Sequence, residues 1–422
     1  MPVSTLPRFL ALATLLLIAP ALAAQATRTV TLADIDSAVL TGNIDIRSAD
    51  NAVSRARAGI RAADVAPNPT LTLQAFSISP KRWGLERFRD SADVTARLDQ
   101  LIETGGKRRL RVENATATLS AASGDLADTQ RLRIADAEAA FFALAAAQDR
   151  VAALEAVATS YAQAVAIGEK RLAAGAAAGL DLERQRVDLT RAQGQLATAR
   201  NDLRDARLSL AILIGAEQDI LVAAPAWPDT AVTPPPADAD ALVESRPDVI
   251  AARARVDAAR AALGLARAQR ARDVDVGLQA ENDPRGVGSS FGVAVAIPLL
   301  WGNRYSGSIA QAGTDVAQAE ALLEKSRAVA RAEIATADRA VAETAARLNA
   351  AQNQELPAAA SAARIAEFAF SRGALGLLDL LDARRSRLAA ELDTIDARLA
   401  FAQALAFRRA ATTADAQPQD NR

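Results

Sequence analysis

The chain contains neither cysteine nor histidine. Their absence removes the commonest general base, the thiol nucleophile and the soft metal ligands together, leaving acid–base, covalent and zinc-type chemistry without their usual groups. It also rules out a disulfide framework and any thiol that could carry a lipid. Aromatic residues are only 4% of the chain, and 49 Lys plus Arg nearly cancel 50 Asp plus Glu. A bulky aromatic core and a strong pull on nucleic acid are therefore not expected. The glycine pair Gly105-Gly106 does not form a phosphate-binding pattern in a βαβ setting, and nothing places two carboxylates about a substrate cleft. The sequence predicts a protein that is not an enzyme, with no cofactor and no resident metal. Proline, too, is missing from a long stretch, between Pro80 and Pro225.

What the chain does have is an internal repeat, which constrains the whole fold. Gly106-Lys107-Arg108 follows an alternating segment and opens a helix, and Gly302-Asn303-Arg304 does the same in the second copy. Gly175 with Asp181 and Leu182 is answered by Gly373 with Asp379 and Leu380. The division expected is a signal peptide (1–23), a first repeat (24–220), a proline-rich linker (221–240), a second repeat (241–410) and a disordered tail (411–422). The signal peptide is read from Arg8, the apolar run Phe9 to Ile18, and the small residues Ala21 to Ala24. The alternative is a membrane anchor, but the run falls short of the ~20 residues a spanning helix needs.

Each repeat carries long helical arms. From Lys107 to Ile214 nearly every residue is a good helix former, interrupted at Ala173 to Leu180, where Gly175 and Gly179 bracket three alanines. At 1.5 Å per residue the arm from Lys107 to Arg171 reaches about 100 Å, far beyond a globular domain. The second copy runs from about Asn303 to Ser371 and back from about Leu377 to Ala410, with Pro357 as a local kink or entry point in the first arm. Leu182, Val187, Leu189, Leu196, Leu203, Leu208 and Leu210 recur at three- and four-residue steps, as in coiled-coil packing.

Hairpins alone would be read as a structural coiled coil; four segments of period two argue otherwise. Leu71, Leu73 and Ala75 alternate with Thr70, Thr72 and Gln74, and Val94, Ala96 and Leu98 with Asp93, Thr95, Arg97 and Asp99. Val274, Val276, Leu278 and Ala280 alternate with Asp275, Gly277 and Gln279, and Phe291, Val293, Val295 and Ile297 with Gly292, Ala294 and Ala296. Their length suits transmembrane β-strands with a lipid face and a lumen face; a soluble hairpin packed on helices is the alternative. Polar loops, Ser77 to Ser91 and Glu281 to Ser290, join the pairs. Four strands cannot close a barrel, and open edges are not tolerated in hydrocarbon, so the chain must oligomerise. Three copies supply 12 strands and a tube of 12 arms; two or four copies also give even numbers.

In order and content the chain resembles the TolC-type outer-membrane efflux proteins, over nearly all of its mature length. Ser245-Arg246-Pro247-Asp248 is similar to the segment that opens the family's second repeat. Gly105-Gly106-Lys107-Arg108, Glu355-Leu356-Pro357 and the run Ser371 to Asp382 resemble the CzcC-like heavy-metal branch. The resemblance implies a mainly α fold with a small transmembrane β part: long helical hairpins forming a periplasmic tunnel, and four strands per chain in a homotrimeric 12-stranded barrel. It implies a passive outer-membrane channel of a Gram-negative bacterium, in contact with outer-membrane lipid; that the channel is not itself a lipoprotein is expected from the absence of cysteine, not from the resemblance. A periplasmic adaptor would couple it to an inner-membrane pump of the resistance-nodulation-division type, with heavy-metal cations as substrate. Drug or small-molecule efflux and type I secretion are the alternatives on the same fold; a periplasmic adaptor or a structural envelope coiled coil is the alternative from another class.

The family's Val-Gly-Leu or Val-Gly-Thr tip falls on Ala174-Gly175-Ala176 and on Arg372-Gly373-Ala374, with only glycine shared, and implies adaptor docking there. Asp379 and Asp382 match the acidic positions that ring the family's entrance, and Asp181 is their counterpart in the first repeat. The basic residue that locks the family's entrance is replaced by Leu375, so any lock is rebuilt, with Asp181 and Arg184, Arg384 or Arg385 as candidates.

Overall fold

The computed structural model describes residues 28–76, 92–175, 178–216, 220–222, 227–229, 238–284 and 286–413. The expected signal peptide, the first strand-pair loop (77–91), tip residue Ala176 and most of the linker lie outside them.

A short strand β1 (Arg28–Val30) leads into α1 (Leu32–Gly42) and α2 (Ile44–Ala63). The break between the helices is made by Asn43. Its Oδ1 accepts from the amides of Asp45 (2.9 Å) and Ile46 (3.2 Å), capping α2, while its Nδ2 donates to the carbonyl of Leu213 at 2.8 Å. Here two backbones nearly touch: a Cβ on Gly42 would lie 2.0 Å from the Ile214 carbonyl oxygen. One on Gly215, which has φ of +66°, would lie 2.3 Å from the Gly42 oxygen.

Strands β2 (Thr70–Phe76) and β3 (Asp93–Ile102) then lead to α3 (Lys107–Ala173), a single helix of 67 residues. It spans about 100 Å at 1.5 Å per residue. The chain returns through α4 (Gly179–Ile214) to β4 (Ile220–Val222), which pairs in parallel with β1. From the linker, Trp227 stacks on Phe142 with ring centroids 5.6 Å apart.

The second repeat follows the same order: α5 (Ala239–Ser245), α6 (Pro247–Ala268), β5 (Val274–Asp283), β6 (Gly288–Ala296), α7 (Ser306–Ala350), α8 (Leu356–Ser371) and α9 (Leu377–Thr412). Pro247 at the first position of α6 needs no amide partner there, which places the helix start. Between α7 and α8 lies one π-helical segment, Ala351–Glu355. The kink expected at Pro357 takes this form: proline has no amide to give, and the preceding turn widens instead of breaking. Two expectations are corrected. The second descending arm opens at Ser306, not Asn303, and the left-handed residue before it is Tyr305 (φ 56°). Residues 411–412, assigned to the tail, are helical because Ala410 and Ala411 are buried, the latter beside Val243 and Val249.

Small side chains and a few large anchors make the core. In the first repeat Ile35, Val39, Phe141, Phe142, Leu144, Leu210 and Ile214 cluster where α1, α3 and α4 meet. In the second, Val243, Val249, Val256, Leu323 and Ile334 join α5, α6 and α7. Arg246 is the largest fully buried side chain, at 1% exposure. It donates to Asp248 (2.8 Å) and to Glu333 (2.7 Å), bonds that outweigh its desolvation and raise its affinity for the proton. The Ser-Arg-Pro-Asp segment thus pins the second repeat's entry helix to α7.

Candidate functional site

The four strands form one antiparallel sheet in the order β2-β3-β5-β6. Their lengths of 7, 10, 10 and 9 residues approach those of a tilted membrane strand. Register converts the sequence alternation into two faces. Leu71, Leu98, Leu278 and Val293 make one continuous row across the sheet, and Leu73, Ala96, Ala280 and Phe291 the next. These side chains are bare: Leu73 is 70% exposed, Val293 74% and Phe291 89%. An apolar face of this extent in water would be a strong aggregation hazard, and in hydrocarbon it is solvated.

The opposite face is polar. Thr72, Arg97 and Gln279 form one row, Gln74, Thr95 and Glu281 another, and together with Asp99 they line a trough of about 380 Å³. By the same parity Asp93, Asp99, Asp275, Glu281 and Asp283 stand on this face against a single base, Arg97, which is paired to Asp99 at 2.7 Å. Strands β2 and β6 are the free edges of the sheet.

The motif Gly105 to Arg108 builds the joint between sheet and helices. Gly105 and Gly106 both take left-handed φ, +66° and +71°, turning the chain from β3 into α3. Lys107 is 5% exposed, and its Nζ donates to Asp273 at 2.7 Å and to the Ala271 carbonyl at 3.0 Å. Burial pushes the Asp273 carboxyl up, but bonds from Lys107 and the Thr104 amide outweigh it and hold it below the usual range. Arg108 reaches Asp64 at 3.0 Å, on the end of α2. The first repeat's turn is thereby bolted to the second repeat's strand. Gly302, Asn303 and Arg304 form no such bolt; all three are exposed, and Asn303 caps the Tyr305 amide at 2.8 Å.

At the far end of the arms, Gly175 (φ +69°) and Gly373 (φ +73°) make left-handed turns, each with nothing within 4 Å of a notional Cβ. Ala374 closes its turn by donating from its amide to the Ala369 carbonyl at 2.9 Å. Asp379 and Asp382 lie exposed on the first turns of α9, while Asp181 pairs with Arg184 at 3.6 Å within its own helix. The other candidate bases go elsewhere. Arg384 pairs with Glu367 at 3.0 Å, and Arg385 crosses to Asp188 of α4 at 2.6 Å. Asp188 is only 4% exposed, its Oδ2 has no partner among the described residues, and its hydrogen bond raises the Arg385 guanidinium above the ordinary arginine range. The nearby Tyr161 hydroxyl is pushed up by burial and by Asp188. Asp188 was legible in principle, for it lies four and eight residues before Ala192 and Leu196, on the same buried stripe. Among the described residues no group of three carboxylates is placed to hold a metal ion.

Comparison with known proteins agrees with this geometry. The sequence profile of the family described as outer membrane efflux protein matches residues 36–216 and 239–412, one block for each repeat. The cobalt-zinc-cadmium resistance protein CzcC of Cupriavidus metallidurans is 30% identical over 301 residues, which is 71% of this chain and 72% of CzcC. Among solved structures the outer-membrane channel OprN matches with a TM-score of 0.78 at 24% identity, covering 92% of this chain and 91% of OprN. CusC matches with a TM-score of 0.76 at 20% identity, covering 92% and 94%. The two-faced sheet and the paired long hairpins are the fold of those channels, and the chain belongs to the outer membrane efflux protein family, as a passive channel of the outer membrane and not an enzyme.

Proposed function

We propose that three copies close a 12-stranded barrel and a helical tunnel, and that this conduit is the exit duct of a tripartite assembly for heavy-metal cations. The carrying observation is the sheet itself: four strands, one face apolar and bare, the other acidic, with both edges unpaired. Such edges must be satisfied within hydrocarbon, and pairing β6 of one copy with β2 of the next does so for every copy alike. The cation reading is supported by five carboxylates against one base on the lumen face and by the kinship with CzcC. Adaptor docking is assigned to the glycine tips around Gly175 and Gly373, and gating to Asp379 and Asp382 with Asp181 as their neighbour in the first repeat. The pump supplies the energy, through the adaptor.

The test is the detergent-corrected mass of the purified protein, followed by ion selectivity in a planar bilayer. A mass of three chains with a reversal potential on the cation side supports the proposal. A monomer overturns the closure, and a trimer that prefers anions overturns the cation reading alone.

A further inference from the structure

The apolar row of β6 does not stop where the strand stops. Ile297, Leu299 and Trp301 keep the parity of Val293 and Val295 and are 48%, 64% and 89% exposed, although the last ladder pair is Asp275 with Ala296. They lie at the end of the sheet from which α7 departs, which is the periplasmic end in the barrel reading. The equivalent stretch after β3 is different in kind. There Glu103 binds Arg111, and Thr104 donates to Asp273 at 2.8 Å, so the first joint is polar and satisfied.

Beside the second joint stand three exposed arginines. Arg270 donates from Nε to the Arg304 carbonyl at 3.1 Å, which brings the two residues together. Arg272 shares parity with the outward residues Val274 and Val276. No carboxylate lies within ion-pair distance of these three among the described residues, and Asp273, next to Arg272 in the chain, is taken by Lys107.

We infer that Ile297, Leu299, Trp301 and Arg270, Arg272, Arg304 form a seat for anionic phospholipid of the membrane's periplasmic leaflet. The inference rests on the barrel reading above. Trp prefers the boundary between acyl chains and headgroups, arginine buries its stem while keeping its guanidinium at the phosphate, and the fork binds phosphate oxygens in pairs. Lipid is the occupant because the row continues the lipid-facing side of β6. A neighbouring copy would pair with the edge of β6, whereas Val293 and Val295, the row that these residues prolong in sequence, stand out of the sheet plane at right angles to that edge.

The experiment uses the full chain in phosphatidylethanolamine vesicles containing phosphatidylglycerol. The emission lost in Trp301→Phe isolates one of the chain's three tryptophans. It should be quenched by phospholipid brominated high in the acyl chain and sheltered from acrylamide. In mild detergent, the R270Q/R272Q/R304Q protein should remain an oligomer yet lose its preference for phosphatidylglycerol over phosphatidylcholine by on the order of tenfold or more, read by native mass spectrometry of retained lipid. Quenching by acrylamide alone, shelter from both quenchers as in a protein contact, or an unchanged lipid preference overturns the inference while leaving an oligomeric barrel intact. A chain that washes off the membrane with salt overturns the barrel and the seat together.

Discussion

Replacing Arg385 by alanine should unlatch the two hairpins near their tips. The Arg385–Asp188 pair at 2.6 Å crosses from α9 to α4, beside a cluster in which Leu381 packs on Leu154, Ala158, Tyr161 and Leu196. Its energy can be bracketed. Breaking a fully buried pair costs about 3–5 kcal/mol because a charge is left behind, whereas an exposed pair is worth about 0–1 kcal/mol. Asp188 is 4% exposed and Arg385 52%, so one end is buried and the other is not. An intermediate value of about 2 kcal/mol follows, roughly a 30-fold change in the docked-to-undocked ratio. Asp188→Asn removes the buried charge but keeps an acceptor, and should cost about 1 kcal/mol or less. The double variant should therefore be no worse than Arg385→Ala alone, since the penalty of that substitution is the stranded carboxylate.

The chain's lack of cysteine makes the assay direct. Val187→Cys on α4 and Ser386→Cys on α9, both exposed, accept spin labels without a background thiol. Arg385→Ala should broaden the distance distribution and raise single-channel conductance, and adding Asp188→Asn should restore part of both. If Arg385→Ala leaves distances and conductance unchanged, or if the two substitutions are simply additive, the latch does not exist.

Three further outcomes follow from local geometry. Gly215→Ala forces a β-carbon into the left-handed region, about 1–2 kcal/mol, and also against the Gly42 oxygen, so a loss above about 3 kcal/mol is expected in denaturant titration. Asp149 is raised above its ordinary value of 3.8 by burial, against a hydrogen bond from Trp227 and the charge of Arg398. The native state thus holds its proton longer than the unfolded chain, and wild type loses stability as pH rises from about 3.8 through the raised value. Asp149→Asn should escape that loss, so its melting temperature relative to wild type climbs over this window and is level below it. Asp379→Ala with Asp382→Ala should raise conductance and weaken block by multivalent cations in a planar bilayer; unchanged behaviour in both would show that these carboxylates do not face the narrow bore.

Much of this was readable from periodicity, and the exceptions have physical causes. Parity in a strand is rigid, so assigning Leu98 and Leu278 to the same face as Leu71 needed only the two-residue period, and the register bears it out. Helix length was readable because nothing in Lys107 to Arg171 breaks a helix. The start of the second arm was missed by three residues because glycine is the expected left-handed residue, and the position is filled by Tyr305, next to the Asn303 side chain that accepts from its amide. The partner of Lys107 could not be seen at all: Asp273 lies 166 residues away, and only the closing of the sheet brings them together.

The two repeats differ where a mechanism would need them to. Both descend for nearly the same distance, 67 residues in α3 against 45, 5 and 16 in α7, the π segment and α8. Only the second is interrupted, and the interruption exposes Gln352, Asn353, Gln354 and Glu355 just before a proline that has no amide to offer. A π turn relieves helical regularity at one point, and bending concentrates where a ladder bond is missing. Below it α8 leads to the tip at Gly373, beyond which α9 carries Asp379, Asp382 and Arg385, the last paired with Asp188 of the first hairpin. A first arm without a break, a second with one π turn, and one half-buried ion pair between the hairpins predict that bending of the second hairpin concentrates at the π turn. On this account Pro357→Ala, which restores the missing amide, should stiffen the arm and narrow the spin-label distances that Arg385→Ala broadens. Equal breadth in the two proteins would place the pivot elsewhere.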